Sequence, residues 1–324
     1  MQGLAASRLS VANLTLSLFL FLCIIFELLY YIFFTGFGKK NSKNGKMATN
    51  WRQILSFFLI VSSIFFIAYS LMLFTSFLFR TADPVKTADF SKLFLSWDRA
   101  IFKTDPGIWL INQFGGTFIE NILCWTYINI FEMLSLIFLV TFFLNKKAFR
   151  KLILSFFISW IIALPLWFLF PALSPATMFQ LNKMNLAGLN EIRAFNNFNP
   201  SSRLKEDLAF EEKIYPVDLN PDNRILPIST FPSMHAAWGT IIAYSGIVLC
   251  PWLGIILIPL SIINDVSAVY ILEHFSSDVF LGVVIALISI LITEILLYFE
   301  NKYFEDKFGL LSGFDYIRSI IKKI

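Results

Sequence analysis

The sequence has little charge, few cysteines and almost no histidine. Charged residues make up 15% of its 324 residues, whereas a soluble domain carries about 25%. The three cysteines form no Cys-x-x-Cys motif and no Cys/His cluster, and only two histidines occur. A zinc site is therefore not expected, and we expect no metal and no other cofactor. The chain also has no internal repeat, which argues against a transporter built from repeated halves.

Hydrophobic residues take the place of the missing charges. They make up 57% of the chain, with 38 phenylalanines and a mean hydropathy of +0.71. A core of ordinary size cannot hide this much apolar surface, so we expect an all-α polytopic membrane protein. Apolar stretches of about 20 residues, the length that crosses a bilayer, predict about seven transmembrane helices. Their approximate ranges are 11–35, 51–79, 118–144, 152–170, 234–249, 253–272 and 278–297.

The polar segments between these spans divide the chain into three parts. Residues 1–50 are expected to form an extra N-terminal span and a basic loop, residues 51–300 a six-helix catalytic core, and residues 301–324 a basic cytoplasmic tail. Within the core, residues 171–232 are rich in proline and asparagine and form a long polar loop. A loop this long in a compact bundle is usually functional or disordered.

The basic residues predict the orientation of the chain in the membrane. They cluster at 39–46, at 146–151 and in the tail, which the alternation of seven spans places on one face. The positive-inside rule makes that face cytoplasmic, so the N-terminus lies outside, the C-terminus inside, and loop 171–232 is extracytoplasmic. The net charge of +4 then reflects topology, and no nucleic-acid partner is expected. The connection 80–116 combines tryptophans, short apolar patches and balanced charges, which is typical of an interfacial segment.

The two histidines stand at opposite ends of one hydrophobic hairpin. His235 follows a Pro-Ser-Met tripeptide, and His274 is followed four residues later by Asp278. The residues between the histidines form two arms of about 18 residues, each long enough to cross the hydrocarbon core at about 1.5 Å per residue. The chain therefore crosses and returns, and both imidazole rings are expected at the extracytoplasmic face. Ionisable residues at such a place indicate a functional site.

The residues around each histidine suggest different chemical roles. Ser233 is a good candidate for a helix N-cap, which places His235 in a first helical turn where free N–H groups favour a phosphate. His274 and Asp278 are four residues apart, so on a helix they are expected to share one face. Asp278 can then accept a hydrogen bond from one ring nitrogen of His274 and leave the other as nucleophile or base. His235 has no acidic neighbour in the sequence and is better placed as general acid. The alternative is that each histidine is an ordinary polar residue at the membrane interface.

These two motifs resemble a known family. A Pro-Ser-x-His motif followed about 40 residues later by His-x-x-x-Asp is similar to the second and third motifs of the type 2 phosphatidic acid phosphatase superfamily. The resemblance implies a six-helix core, His274 as the nucleophile that forms a phosphohistidine, Asp278 as its partner, and His235 as the acid. It also implies that Ser233 binds the phosphate and that no metal takes part.

The sequence departs from the phosphatases of that family at three places. They usually have glycine where this chain has Met234, and arginine where it has Ala268, and their first motif contains an Arg-Pro pair that is absent here. The chain is more similar to the branch that includes fungal inositol phosphorylceramide synthase. Segments 98–102, 105–110 and 170–175 carry that second resemblance.

The cations that bind the phosphate in the phosphatases therefore have to be replaced. Arg224, nine residues before Ser233 in loop 171–232, is the preferred candidate because a guanidinium can bind two phosphate oxygens. An ordinary solvated loop arginine is the alternative. Weaker candidates are Arg193, Arg203, Lys183 and Lys213. Tyr270, one turn before His274, is expected to anchor the membrane interface, and a place in the site is the alternative.

We therefore predict a membrane-embedded enzyme of phosphoryl transfer. The expected partners are membrane lipids, namely a phospholipid or lipid phosphate as substrate and a hydroxylated lipid as acceptor. Transfer of an inositol-phosphate-like headgroup to a lipid hydroxyl is the preferred reaction, and hydrolysis by a lipid phosphate phosphatase is the alternative. A transporter or scaffold without catalytic activity is the alternative from another class.

Overall fold

The computed structural model describes the central and C-terminal parts of the chain. The predicted first span, most of the second, Arg224 and most of the tail lie outside the described residues. Every regular element in the described part is helical. The described residues are 70, 73–75, 77–178, 201, 203–206, 208–209, 228 and 231–304.

Eight α-helices lie wholly within the described ranges. They are α1 (Pro84–Phe102), α2 (Pro106–Phe114), α3 (Phe118–Ile128), α4 (Ile130–Leu144), α5 (Lys146–Leu169), α6 (Met234–Leu249), α7 (Gly254–Tyr270) and α8 (Ser276–Phe304). A single 3₁₀ turn, Pro251–Leu253, joins α6 to α7. The described residues from Thr75 to Thr293 belong to one compact unit, and those between Ser70 and Phe74 and after Thr293 belong to a second. All described site residues discussed below lie in the first unit.

Three of these helices are long and apolar enough to cross a membrane. They comprise Lys147–Leu169, Pro251–Tyr270 and Ser276–Phe299, and α6 is apolar but shorter. A fourth span results if Phe118–Ile128 and Glu132–Phe138, which are bent by 53°, count as one. Within the described residues the structure thus supports a helical membrane protein with three or four such spans. The prediction of seven spans and the three-part division remain predictions.

The predicted span 118–144 is not one straight helix. Asn129 leaves helical geometry with φ −95° and ψ 14°, and its side-chain amide donates to the carbonyl of Trp125 at 2.7 Å. The break separates α3 from α4. An asparagine favours such local hydrogen bonds over a continuous helix, and the surrounding apolar residues hide this signal in the sequence.

Helix α6 lies at the centre of the bundle, packed against α4, α5 and α7. It is apolar on all sides and buried over most of its length, as expected for a helix with neighbours all around. Gly239 permits the approach of α7, because a Cβ there would lie 3.1 Å from both the Asn264 amide nitrogen and the Ser261 hydroxyl. The N-terminus of α6 carries the first histidine motif.

Helix α1 buries one face beneath the site. Thr87, Ser91, Phe94, Leu95 and Asp98 are buried, at the spacing that one side of a helix requires. Asp83 caps the helix by accepting hydrogen bonds from the N–H groups of residues 85 and 86. The segment predicted to be interfacial, 80–116, therefore contains helices α1 and α2, and α1 has a buried side that contains a carboxyl group.

Candidate active site

The α6–α7 hairpin brings the two histidines together. The ring centroids of His235 and His274 lie 5.7 Å apart, with an angle of 57° between the rings. The return of both rings to one end of the hairpin, predicted from the length of its arms, is confirmed by this distance. Two imidazoles at this separation can contact one phosphoryl group from different directions.

Ser233 links the two motifs. It is the N-cap of α6, as predicted, and its hydroxyl oxygen accepts a hydrogen bond from the N–H of Ala236 at 3.3 Å. Its own N–H donates to the carbonyl oxygen of Asp278 at 3.1 Å. The start of α6 is therefore bonded directly to the first turn of α8. Because the hydroxyl accepts from Ala236, its proton remains available for a second partner.

The preceding residues are held by aromatic side chains. Phe231 stacks on Phe94 of α1, with ring centroids 3.8 Å apart and an angle of 14° between the rings. The indole N–H of Trp167 donates to the carbonyl oxygen of Pro232 at 3.2 Å. The approach to the Ser233 cap is thus fixed from α1 and from α5. This contact gives the aromatic residue before the Pro-Ser pair, Phe231, a structural role.

Asp278 is paired with His274, but by a turn and not by a helix face. The distance from His274 Nδ1 to Asp278 Oδ2 is 3.7 Å, which is an ion-pair distance longer than a hydrogen bond. His274 precedes α8, which begins at Ser276, so the expectation that both residues share one helix face was wrong. The pair forms because Asp278 Oδ2 also accepts the N–H of Phe275 at 2.9 Å. Because Nδ1 faces the carboxylate, Nε2 is the candidate for the nucleophilic ring nitrogen.

A second carboxylate, Asp98, caps the same helix. Its two oxygens accept hydrogen bonds from the N–H groups of Ser276 at 2.7 Å and Ser277 at 2.9 Å. Burial raises the pKa of Asp98, and the hydrogen bonds from Ser276 and Ser277 oppose that rise. This role could not be predicted from the sequence, because Asp98 lies 178 residues before Ser276.

The turn that carries His274 has further backbone support. The carbonyl oxygen of Ala268 accepts the N–H groups of Glu273 at 3.2 Å and of His274 at 3.1 Å. Leu272 adopts a left-handed conformation with φ 62°, and its carbonyl accepts the N–H of Ala176 at 2.8 Å. Gly107 of α2 packs beneath this turn, where a Cβ would lie 2.6 Å from Leu272 Cδ2. The position of the nucleophile candidate is therefore set by several distant segments.

The His235 ring is held by contacts that the sequence did not predict. It stacks on Tyr127 of α3, with centroids 4.3 Å apart and 20° between the rings. The tyrosine oxygen lies 3.5 Å from His235 Nδ1. Since the rings are nearly parallel, this oxygen lies over the ring face and outside the plane of the nitrogen lone pair, so stacking is the main contact. The side-chain amide of Asn264 donates to the His235 carbonyl at 3.1 Å.

Tyr270 is fully buried, so the expectation that it anchors the membrane interface was wrong. Its hydroxyl donates to Glu120 Oε1 at 2.7 Å, and the other oxygen of Glu120 accepts the N–H of Gly116 at 2.7 Å. Glu120 also accepts the hydroxyl of Ser201. This buried carboxylate therefore joins the end of α7, the start of α3 and the loop after α5.

Of the candidate cations, Arg203 lies among the described residues, whereas Arg193, Arg224, Lys183 and Lys213 lie outside them. Arg99 forms a bidentate pair with Asp105, at 2.6 Å and 3.2 Å. Arg203 lies near enough to Glu120 for a charge interaction with that carboxylate. Ala268 is completely buried at the place where the phosphatases of the resembled family carry arginine. Among the described residues, no group of three His, Cys, Asp or Glu side chains could hold a metal ion.

Comparison with known proteins identifies the family. The profile described as the PAP2 superfamily matches residues 92–292, which include both histidine motifs and helices α2 to α7. No curated protein and no solved structure matches the chain. Because the profile covers more than half of the sequence, the chain belongs to the PAP2 superfamily.

Proposed function

We propose that this chain is a membrane-embedded phosphotransferase that acts on a lipid phosphate ester through a phosphohistidine. Membership of the PAP2 superfamily supports phosphoryl transfer or phosphatase activity on phosphate esters in general. The observation that carries the proposal further is the pair of imidazole rings with centroids 5.7 Å apart, in which Nδ1 of His274 lies 3.7 Å from Asp278 Oδ2. The carboxylate contact suits His274 as the nucleophile, and we propose His235 as the acid.

In the first step, Nε2 of His274 attacks phosphorus and the bond from phosphorus to the leaving alkoxide oxygen breaks. His235 gives its proton to that oxygen, so the alcohol leaves neutral. Asp278 stabilises the positive imidazole that results. In the second step, the acceptor hydroxyl passes its proton to His235 and attacks phosphorus, and the nitrogen–phosphorus bond breaks. Each cycle thus restores both histidines.

Phosphate binding needs donors around the remaining oxygens. We propose that Ser233 donates its hydroxyl proton to one of them, since its oxygen already accepts from Ala236. Arg224 is proposed as the cation that compensates for the missing arginines. The acceptor that we propose is a lipid hydroxyl, and the group transferred is an inositol-phosphate-like headgroup. Met234, Ala268 and the segments 98–102, 105–110 and 170–175 support this branch of the superfamily.

We propose further that the site lies at the extracytoplasmic face, with the N-terminus outside and the C-terminus inside. The Lys151 ammonium lies over the Tyr244 ring, 5.8 Å from its centroid. Tyr244 is nine residues beyond His235 on α6, about 13 Å along the helix at about 1.5 Å per residue. The basic start of α5 therefore lies toward the end of the bundle away from the histidines, which the positive-inside rule makes cytoplasmic.

The test is turnover of a phospholipid labelled at phosphorus by purified protein in lipid nanodiscs. With a long-chain hydroxylated lipid present, we expect the label in a new lipid, whereas release of free phosphate would instead indicate a phosphatase. His274→Ala should lower turnover by more than about 10⁴-fold, as removal of a nucleophile does. Unchanged turnover in this variant would contradict the mechanism.

The role of His235 is tested with leaving groups of different acidity. His235→Ala should slow release of an alkyl alcohol strongly, because the alkoxide must be protonated, and should slow release of an acidic phenol much less. A loss of equal size for both leaving groups would exclude His235 as the general acid. Asp83→Asn, which alters a helix cap outside the site, is the control and should keep the turnover of the unmodified protein.

A further inference from the structure

The N-terminus of α8 is capped from a distant part of the chain. Asp98 on α1 is 2% exposed and accepts the N–H groups of Ser276 and Ser277. These two residues lie between His274 and Asp278 in the sequence. The first N–H groups of a helix have no partner inside the helix and need one elsewhere. Asp98 supplies it at the point where the histidine–carboxylate pair is formed.

Asp98 and Asp278 accept hydrogen bonds from different backbone N–H groups of this turn. Asp278 Oδ2 takes the N–H of Phe275 and lies 3.7 Å from His274 Nδ1, while its Oδ1 has no hydrogen-bond partner among the described residues. If Asp98 were removed, the unpartnered Oδ1 of Asp278, two residues after Ser276, would be an acceptor for the freed N–H groups of Ser276 and Ser277. A carboxylate that turned to cap them would leave His274.

The same helix also supports the other histidine motif. Phe94, one turn before Asp98 on α1, stacks on Phe231 at the start of the motif that contains His235. Phe94 also approaches Phe275, with ring centroids 6.4 Å apart. Helix α1 therefore contacts the residues that immediately precede α6 and α8. It is a common support for both halves of the site.

We infer that Asp98 is a positioning residue that holds Asp278 in place as the partner of His274. This inference rests on the proposed function of His274 as nucleophile. Asp98 has no contact with the reacting atoms. Its effect is to occupy the N–H groups of α8 so that the Asp278 carboxylate remains directed at the ring.

A matched control separates this role from ordinary helix capping. Asp83 caps α1 through one oxygen, Oδ1, which accepts the N–H groups of Val85 at 2.8 Å and Lys86 at 3.3 Å. Asp98→Asn keeps one acceptor and places an amide against the second N–H, whereas Asp83→Asn removes the charge of a helix cap and keeps its accepting oxygen. We expect Asp98→Asn to lower kcat by about 10- to 100-fold, as loss of a supporting hydrogen bond does at metal sites. KM should stay within about twofold, and Asp83→Asn should keep kcat.

A second variant removes the hydrogen bond from the donor side. Ser276 is the first residue of α8, where proline is well tolerated, so Ser276→Pro deletes its N–H without a helix defect. We expect its kcat to fall less than that of Asp98→Ala, because the Ser277 donor remains. If Asp98→Asn does not fold, Ser276→Pro still tests the contact.

The readout that needs no substrate is the ring signal of each histidine. The chain has only two histidines, so ¹⁵N-histidine spectra of protein purified without a histidine tag are assigned with the two single-histidine variants. Asp98→Asn should shift the ring nitrogens of His274 and leave those of His235. Unshifted His274 signals, or a kcat equal to that of Asp83→Asn, would overturn the inference. If the unmodified protein turned over no lipid, the proposed function would fail while the ring signals still decided the role of Asp98.

Discussion

Gly282 is the position where one methyl group should separate the two halves of the site. It lies one turn after Asp278 on α8, and a Cβ added there would be 2.2 Å from the carbonyl oxygen of Ser233. An ordinary contact between carbon and a carbonyl oxygen is at least about 3.3 Å. Gly282→Ala therefore has to move the start of α6 away from α8 by about 1 Å, and the hydrogen bond from Ser233 N–H to Asp278 lengthens. A misplacement of about 1 Å can lower a rate by about 10²-fold.

The assay for Gly282→Ala is kcat for lipid phosphoryl transfer, measured together with thermal unfolding. Gly246→Ala on α6 is the matched control, because its Cβ would lie 2.1 Å from Leu257 Cδ1. That neighbour is a terminal methyl group that can rotate, whereas the Ser233 carbonyl belongs to the backbone. We expect Gly282→Ala to lose about 10²-fold in kcat and Gly246→Ala to keep it. Equal kcat in both variants would refute the claim that this contact sets the distance between the histidines.

Two further substitutions test contacts that hold the site. Tyr127→Phe keeps the stacking on His235 and should keep kcat, whereas Tyr127→Ala removes stacking worth about 0.5–1.5 kcal/mol and should slow transfer from alkyl esters; equal rates for the two variants would contradict this role. Tyr270→Phe removes one donor from the buried Glu120 and should destabilise the protein by about 1–3 kcal/mol. Thermal unfolding measures that loss, and an unchanged melting temperature would show that Glu120 does not depend on Tyr270.

The predictions that succeeded rest on local features of the sequence. The length of two apolar arms and the helical rise per residue were enough to place His235 near His274. The Pro-Ser sequence was enough to identify Ser233 as a cap, because capping depends on the residue itself and its next three neighbours. The membrane class followed from composition alone. None of these features required knowledge of how one helix is rotated against another.

Most features that the sequence did not reveal join distant residues. Tyr127 meets His235 across 108 positions and Asp98 meets Ser276 across 178. In a membrane helix that is apolar all around, the pattern of polar and apolar residues does not identify the side that faces a neighbour. The Asn129 break was missed because apolar residues continue on both sides of it, which makes the stretch read as one span. The pairing of His274 with Asp278 was correct in outcome but assigned to the wrong local structure.

The segment after Asp98 reaches the turn that carries His274. Arg99 is held by Asp105, which immediately precedes α2, and Gly107 of α2 packs beneath the turn at Leu272. The whole stretch supports the His274 turn from one side. Because Arg99 is paired with Asp105, we propose that the charge that compensates for the missing arginines comes from loop 171–232, where Arg224 is the first residue to change.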